Sequence, residues 1–175
     1  MAIAPPLFVA LLLVTAHPAG SAPAPLTSSP FDAALATLQS RVGYTFRAPG
    51  LLRRAMTHAS YSRDNGRALA VLGLTAAESA AALRALADDS DATASAVSGR
   101  VSEAASEAAC AAAGTHLGIP AIVRVAGPAS ASAAPVVCGA LRALIGAVAV
   151  DANSTDAAGE VFWRLHVLTA ATAAM

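Results

Sequence analysis

Two apolar runs that carry glycine constrain this chain more than anything else in it. They are Leu69-Ala70-Val71-Leu72-Gly73-Leu74 and Cys138-Gly139-Ala140-Leu141-Arg142-Ala143-Leu144-Ile145-Gly146-Ala147. Each reads as part of a buried helix. Around the first, Leu69, Leu72, Ala76, Ala80, Leu83 and Leu86 recur as a helical stripe. Hydrophobic residues make up 56% of the chain and aromatic residues only 4%, so alanine carries much of the apolar total. Alanine favours helix and lets helices pack closely. Alternating β-branched runs, the mark of strands, are few. A length of 175 residues points to one domain, and the expected fold class is all-α.

The rest of the chain supplies starts and stops. Residues 1–22 read as a secretory signal peptide. Leu7 to Ala16 form an apolar core of the usual length, too short to cross a bilayer, which takes roughly 20 residues. Small residues from Ala16 to Ala22 offer cleavage points, although no Lys or Arg precedes the core. An organelle transit peptide would be Arg-rich, and the first arginine here is Arg41. Residues 23–30 form a Pro-rich extended linker, 31–168 the domain, and 169–175 a flexible tail. Asp32 is placed to cap a first helix that carries Phe31, Leu35, Leu38 and Val42 and ends at Gly43. Pro49 opens a second. A polar turn, Ser62 to Gly66, precedes the helix that starts near Arg67. Asp88 to Asp91 turn the chain and cap one long helix from about Ala92 to Ala113, closed by Gly114 to Gly118. After a short apolar segment, Ile119 to Val125, and a small-residue loop, Gly127 to Pro135, the second buried helix runs from about Val136 to Asp151. Asn153, Ser154, Thr155 and Asp156 cap a last helix through core residues Phe162 and Trp163.

Tyr44 and Phe46, followed by Met56-Thr57-His58-Ala59-Ser60-Tyr61, resemble a stretch of the ribonuclease III family. There a tyrosine-phenylalanine turn leads into a helix ending in Leu-Thr-His-x-Ser-Tyr. The two apolar runs are similar to that family's signature helices, roughly Leu-Glu-Phe-Leu-Gly-Asp and Asp-Ala-Phe-Glu-Ala-Leu-Ile-Gly-Ala. Val101-Ser102-Glu103 resembles its Leu-Val-Ser-Glu. The likeness spans roughly Leu38 to Leu165 and implies a ribonuclease III-like helical endonuclease domain. Members hydrolyse double-stranded RNA with Mg²⁺ held by four carboxylates, whose places are taken here by Ala70, Leu74, Gly139 and Arg142. Arg67 stands where a further glutamate is usual. Magnesium wants oxygen ligands, and these four side chains offer none. Arg142 is expected to set a positive charge where the metal would sit, opposing its approach. Glu78, one turn beyond Leu74, cannot rebuild a four-acid site. No catalytic residue, metal ligand or cofactor is therefore expected. Mg²⁺ belongs only to the alternative of an active double-stranded-RNA endoribonuclease.

An acid-poor version with a leader resembles a small plant group, the nuclear-fusion-defective proteins with a single ribonuclease III domain. That resemblance implies a role in fusion of the polar nuclei in the female gametophyte. Family dimers pair through the first signature helix, so Leu69, Val71 and Leu72 are the expected face of a homodimer. RNA or a protein is the expected further partner, with no membrane once the leader is removed. Eleven basic residues, all arginine, balance eleven acidic ones, so the chain is no counterion sponge. Arg41, Arg47, Arg53, Arg54, Arg63 and Arg67 nevertheless cluster against Asp64 alone. They form either a solvated face or an edge that contacts RNA phosphates. His58 could be a general base, but with no acids to poise it a structural histidine is expected. His116 and His166 sit where helix ends would favour them. Cys110 and Cys138 either form a disulfide, contributing about 3 kcal/mol, or are two small buried residues. Asn153 heads a glycosylation sequon. The expected location is the secretory pathway or outside the cell, with mitochondrion or chloroplast as the alternative. A structural interaction protein of the secretory pathway is the third functional reading.

Overall fold

Helix α6 (Ala134–Ala152) is the axis of the domain, buried on nearly every side from Val137 to Ala149. A computed structural model describes the backbone of residues 29–173 and the side chains of 29–166. The expected leader and all but the last two residues of the linker lie outside the described residues. Around α6 stand α1 (Pro30–Val42), α2 (Pro49–Ala55), α3 (Arg67–Asp88), α4 (Ala94–Ala104), α5 (Glu107–His116) and α7 (Thr155–Ala173). Among the described residues no strand forms, and Thr57 and Arg124 make one isolated parallel bridge. The domain is all-α. The backbone of α7 continues past residue 168, where the tail was expected to begin.

The two glycine-bearing runs cross, and the glycines explain how closely. A Cβ on Gly73 would overlap the carbonyl of Arg142 and lie 2.8 Å from the amide nitrogen of Gly146. A Cβ on Gly146 would overlap the carbonyl of Leu69. Backbone therefore meets backbone, which only glycine allows. This crossing sets the face of α3. Its buried residues are Leu69, Gly73, Ala76, Ala77, Ala81 and Ala85. Leu83 and Leu86, expected in the core stripe, are 72% and 45% exposed. At so small an interhelical distance alanine fills the gap, and leucine is displaced to the outside. Leu69 is likewise corrected. It was expected on a dimer face and instead lies under the crossing, 6% exposed, while Leu72 is half-buried against the core and Val71 is 70% exposed.

Helix ends depart from expectation where a hydroxyl competes with a carboxylate. Ser29, not Asp32, caps α1: its Oγ accepts from the Asp32 amide, and its hydroxyl donates to the Asp32 carboxylate at 2.7 Å. The two residues thus hold each other at the helix start, Ser29 Oγ meeting one of the orphan amides. Thr93, not Asp91, caps α4. The long helix expected over 92–113 is two, because Ser106 accepts from the Ala109 amide and starts α5 afresh.

Arginine closes the opposite ends. Arg41 Nη1 donates to the Leu117 carbonyl after α5 at 3.0 Å, Arg142 Nη2 to Ala105 after α4 at 2.7 Å, and Arg164 Nη1 to Val42 at the end of α1 at 2.9 Å. The cation meets both the orphan carbonyls and the negative end of the helix dipole. His166, expected near a helix end, lies inside α7 instead, and its Nε2 reaches the Ala104 carbonyl at the end of α4, 3.1 Å away. Asp151, buried near the end of α6, ties down the turn before α2. It accepts from the Tyr44 hydroxyl at 2.9 Å and from the amides of Arg47 and Ala48 at 2.9 and 2.8 Å. Burial pushes its carboxyl upward, but the two amides, the tyrosine hydroxyl and the Arg47 guanidinium outweigh it and hold the group below the usual carboxylate range. The same contact, together with burial, pushes the Tyr44 phenol up. Cys110 and Cys138 form a disulfide between α5 and α6, with their Cα atoms 5.0 Å apart.

Candidate functional site

Beside the crossing, a pocket of about 370 Å³ opens between the starts of α3 and α6. Gly66, Arg67 and Ala70 come from the start of α3, and Pro135, Val136, Gly139 and Ala140 from the first turns of α6. Thr57, His58, Ala59 and Val123 close it from the loops. No carboxylate lines it, and Arg67 and His58 are its only ionisable residues. Neither helix has an acid in its first turn, and the first amide of α3, on Arg67, donates to Asn65 Oδ1 at 3.0 Å. The positive ends of two helix dipoles thus face the same region.

Ala70 and Gly139, two of the four positions that the resemblance assigns to acids, line this pocket. Leu74 and Arg142 do not. The expectation that Arg142 places its charge at the vacated metal position is corrected, because its guanidinium is turned to the end of α4, where it satisfies the Ala105 carbonyl. The residues present do not fit a divalent cation. Ala70, Leu74 and Gly139 have no donor atom, Arg142 has only N–H donors, and Glu78 is exposed on α3. Among the described residues no three His, Cys, Asp or Glu side chains come together.

His58 is engaged at Nδ1 by Ser60. The Ser60 amide donates to Nδ1 at 3.1 Å, and the Ser60 Oγ lies 2.9 Å from the same nitrogen. That Oγ already accepts from the Ala126 amide at 3.0 Å, so its own proton points to Nδ1. With Nδ1 accepting, the proton of the neutral ring sits on Nε2. In that tautomer Nε2–H donates and Nδ1 is occupied by Ser60.

The arginine cluster is mostly committed elsewhere. Arg41 closes α5, and Arg47 faces Asp151 at 3.8 Å. Arg53 pairs with Asp32, and Arg54 pairs with Asp64 at 3.2 Å and with the Asn65 carbonyl at 3.0 Å. Only Arg63 and Arg67 of the six are exposed with no side-chain hydrogen bond or ion pair among the described residues. Two anchors escaped sequence reasoning. Asp151 was read only as the end of a helix, and Arg124 as part of an apolar segment. Arg124 stacks between Phe31 and Tyr61, 4.2 and 4.7 Å from their ring centres, and donates to Thr57 Oγ1 at 2.7 Å. It thereby fixes the pocket wall to the start of α1. Asn153 is exposed at the α6–α7 turn with φ +51°.

The fold is that of a ribonuclease III nuclease domain. Two structures of that domain from Campylobacter jejuni align with TM-scores of 0.71 and 0.67, at 20% and 21% identity. They match over 74% and 75% of this chain and 94% and 92% of theirs. The first is described for structural flexibility in the region involved in dimer formation. No protein-family model matches the sequence. The chain belongs to the family of Protein NUCLEAR FUSION DEFECTIVE 2 of Arabidopsis thaliana, with which it is 44% identical over 140 residues, 79% of this chain and 73% of that protein.

Proposed function

We propose that this protein is a non-catalytic ribonuclease III-like module, an RNA-binding or protein-interaction domain acting as a homodimer in nuclear fusion. Fusion of the polar nuclei in the female gametophyte is the step that the resemblance implies. One observation carries the non-catalytic reading: where a hydrolytic relative needs oxygen ligands, the pocket presents Ala70 and Gly139, and Arg142 is occupied as a helix cap. The name of the Arabidopsis relative supports the nuclear-fusion role. Dimer formation in the ribonuclease III nuclease domain supports the homodimer, with exposed Val71 as its contact on α3. Four of the six clustered arginines hold intramolecular partners, so any contact with RNA phosphates centres on Arg63 and Arg67. A Cys110–Cys138 disulfide supports passage through an oxidising compartment. The test is incubation of the purified protein with long duplex RNA and Mg²⁺ or Mn²⁺. No cleavage above a heat-inactivated control is expected, and specific cleavage overturns the reading.

A further inference from the structure

We infer that the pocket at the start of α3 and α6 is a binding site for a small monoanionic carboxylate with an apolar body about the size of one or two rings. This rests on the reading that the pocket holds no metal ion. The argument begins with the walls. Ala70, Val123, Val136 and Ala140 make them apolar, and a volume of about 370 Å³ lies at the lower end of the range for small-molecule sites. Nothing fills the space beside Gly139, since a Cβ there would meet no atom within 4 Å. The polar groups are few and of one kind. Arg67 brings a guanidinium with no carboxylate partner, and His58 brings an Nε2–H fixed in place by the two contacts to Nδ1. Both can only donate to a ligand. The Thr57 hydroxyl in the lining is already engaged by Arg124 and by the Arg53 carbonyl, so the free side-chain groups are donors, and with one permanent positive charge the site selects an anion. A guanidinium matches a carboxylate through paired hydrogen bonds. A phosphate monoester, with about −1.5 to −2 charges, would leave charge uncompensated against apolar walls. Ala70 and Gly139, the two of the four positions that line the pocket, thus stand in a site for an anion where the resemblance implies a site for a cation.

The experiment titrates the full chain with 2-naphthoate, uncharged 2-naphthamide, inorganic phosphate and MgCl₂, each followed by amide NMR. Saturable shifts of Gly66, Ala70 and Gly139 with 2-naphthoate are expected, with naphthamide and phosphate at least about tenfold weaker. Arg67→Gln should bring naphthoate binding down to the naphthamide level and leave naphthamide itself unchanged. Arg63→Gln, at an exposed arginine outside the pocket, should change neither. Gly139→Leu should abolish binding by filling the space. Long-range ¹⁵N spectra of neutral His58 should show the proton on Nε2. Equal binding of naphthoate and naphthamide, equal losses in the two arginine variants, phosphate binding as tight as naphthoate, or a proton on Nδ1 each overturns the inference. If neither naphthoate nor Mg²⁺ moves the pocket resonances, the inference fails while the proposed function stands. Mg²⁺ shifting Ala70 and Gly139 at millimolar concentration would sink both.

Discussion

Gly139 and Gly146 lie on the same helix and should answer the same substitution with opposite signs. Replacing glycine by alanine inside a helix gains about 1 kcal/mol of propensity. At Gly139 the new methyl meets nothing within 4 Å, so Gly139→Ala should keep most of that gain. At Gly146 the methyl would overlap the Leu69 carbonyl oxygen, and lie 2.8 Å from its carbon and 3.0 Å from the Gly73 amide nitrogen. All three are backbone atoms, so no side chain can swing aside, and α3 and α6 must move apart. Overpacking costs about 1–3 kcal/mol, and a clash against rigid backbone belongs at or above the upper end. After subtracting the propensity gain, Gly146→Ala should lose about 2 kcal/mol net. The two variants would then differ by roughly 3 kcal/mol, which in a domain of this size separates their melting temperatures by about 10 °C. Thermal and urea unfolding followed by circular dichroism measure this directly. A Gly146→Ala protein that melts with or above Gly139→Ala would refute the close crossing on which the fold is built.

Three further outcomes follow from named contacts. Asp151→Asn removes the charge that holds the Tyr44 hydroxyl and the amides of Arg47 and Ala48, and should cost about 2–4 kcal/mol at pH 7. Because the folded carboxyl sits below its ordinary value, this stability is present above the unfolded value near pH 4 and is lost as pH falls through the folded value. The gap in urea midpoint between wild type and variant should therefore close from pH 6 toward pH 3; a gap of constant size would contradict this. Reducing Cys110–Cys138, which closes a loop with a sequence separation of 28, should cost roughly 3–4 kcal/mol. Two titratable thiols in unfolded protein taken from the secretory route would show that the bridge does not form there. Val71→Asp places a charge on a side chain that is 70% exposed, so light scattering should report monomer with an unchanged melting curve; dimer retained at the same concentration would move the interface elsewhere.

Much of the fold could be read in the sequence because its strongest signals are local. The glycine-bearing runs, Pro49 at a first turn and Gly43 after a last turn act within a few residues of themselves. Signals that failed were those where two local options compete. Ser29 and Thr93 took the caps from Asp32 and Asp91, and Ser106 broke a helix whose alanines on either side would have allowed it to continue. The face of α3 was misread further along because leucine outranks alanine on any hydrophobicity scale. Distance decides there, and distance was set by Gly73 and Gly146 more than 70 residues apart in sequence. Of the site, Ala70 and Gly139 were placed by the resemblance of their helices to the ribonuclease III signature helices. The role of Arg142 was not legible, because its partner is a backbone carbonyl 37 residues away. The same holds for the tautomer of His58, which is set by Ser60 and by Ala126 on another loop.

The arginines and the vacated acids share one physical cause. A helical domain of short elements leaves carbonyls unmet at every C-terminus and amides unmet at every N-terminus. Arg41, Arg142 and Arg164 answer the first need, and the planar fork of arginine suits a cluster of carbonyls better than an ammonium would. At the pocket the second need is answered without charge: the Arg67 amide donates to Asn65 Oδ1, the Val136 amide to the Ala133 carbonyl, Pro135 has no N–H, and neither first turn carries an acid. Carboxylates near those two starts would be stabilised by the helix dipoles and would repel one another until a cation joined them. With Ala70 and Gly139 in their places the repulsion is gone, but the direction of the helices, and so the sign of their field, is unchanged. Under the anion-site proposal that field favours a negative ligand in the apolar cavity. On the proposed anion site, alanine and glycine at these two positions are a reversal of preference and not simply a vacancy, with Arg67 and His58 as the donors at the same opening.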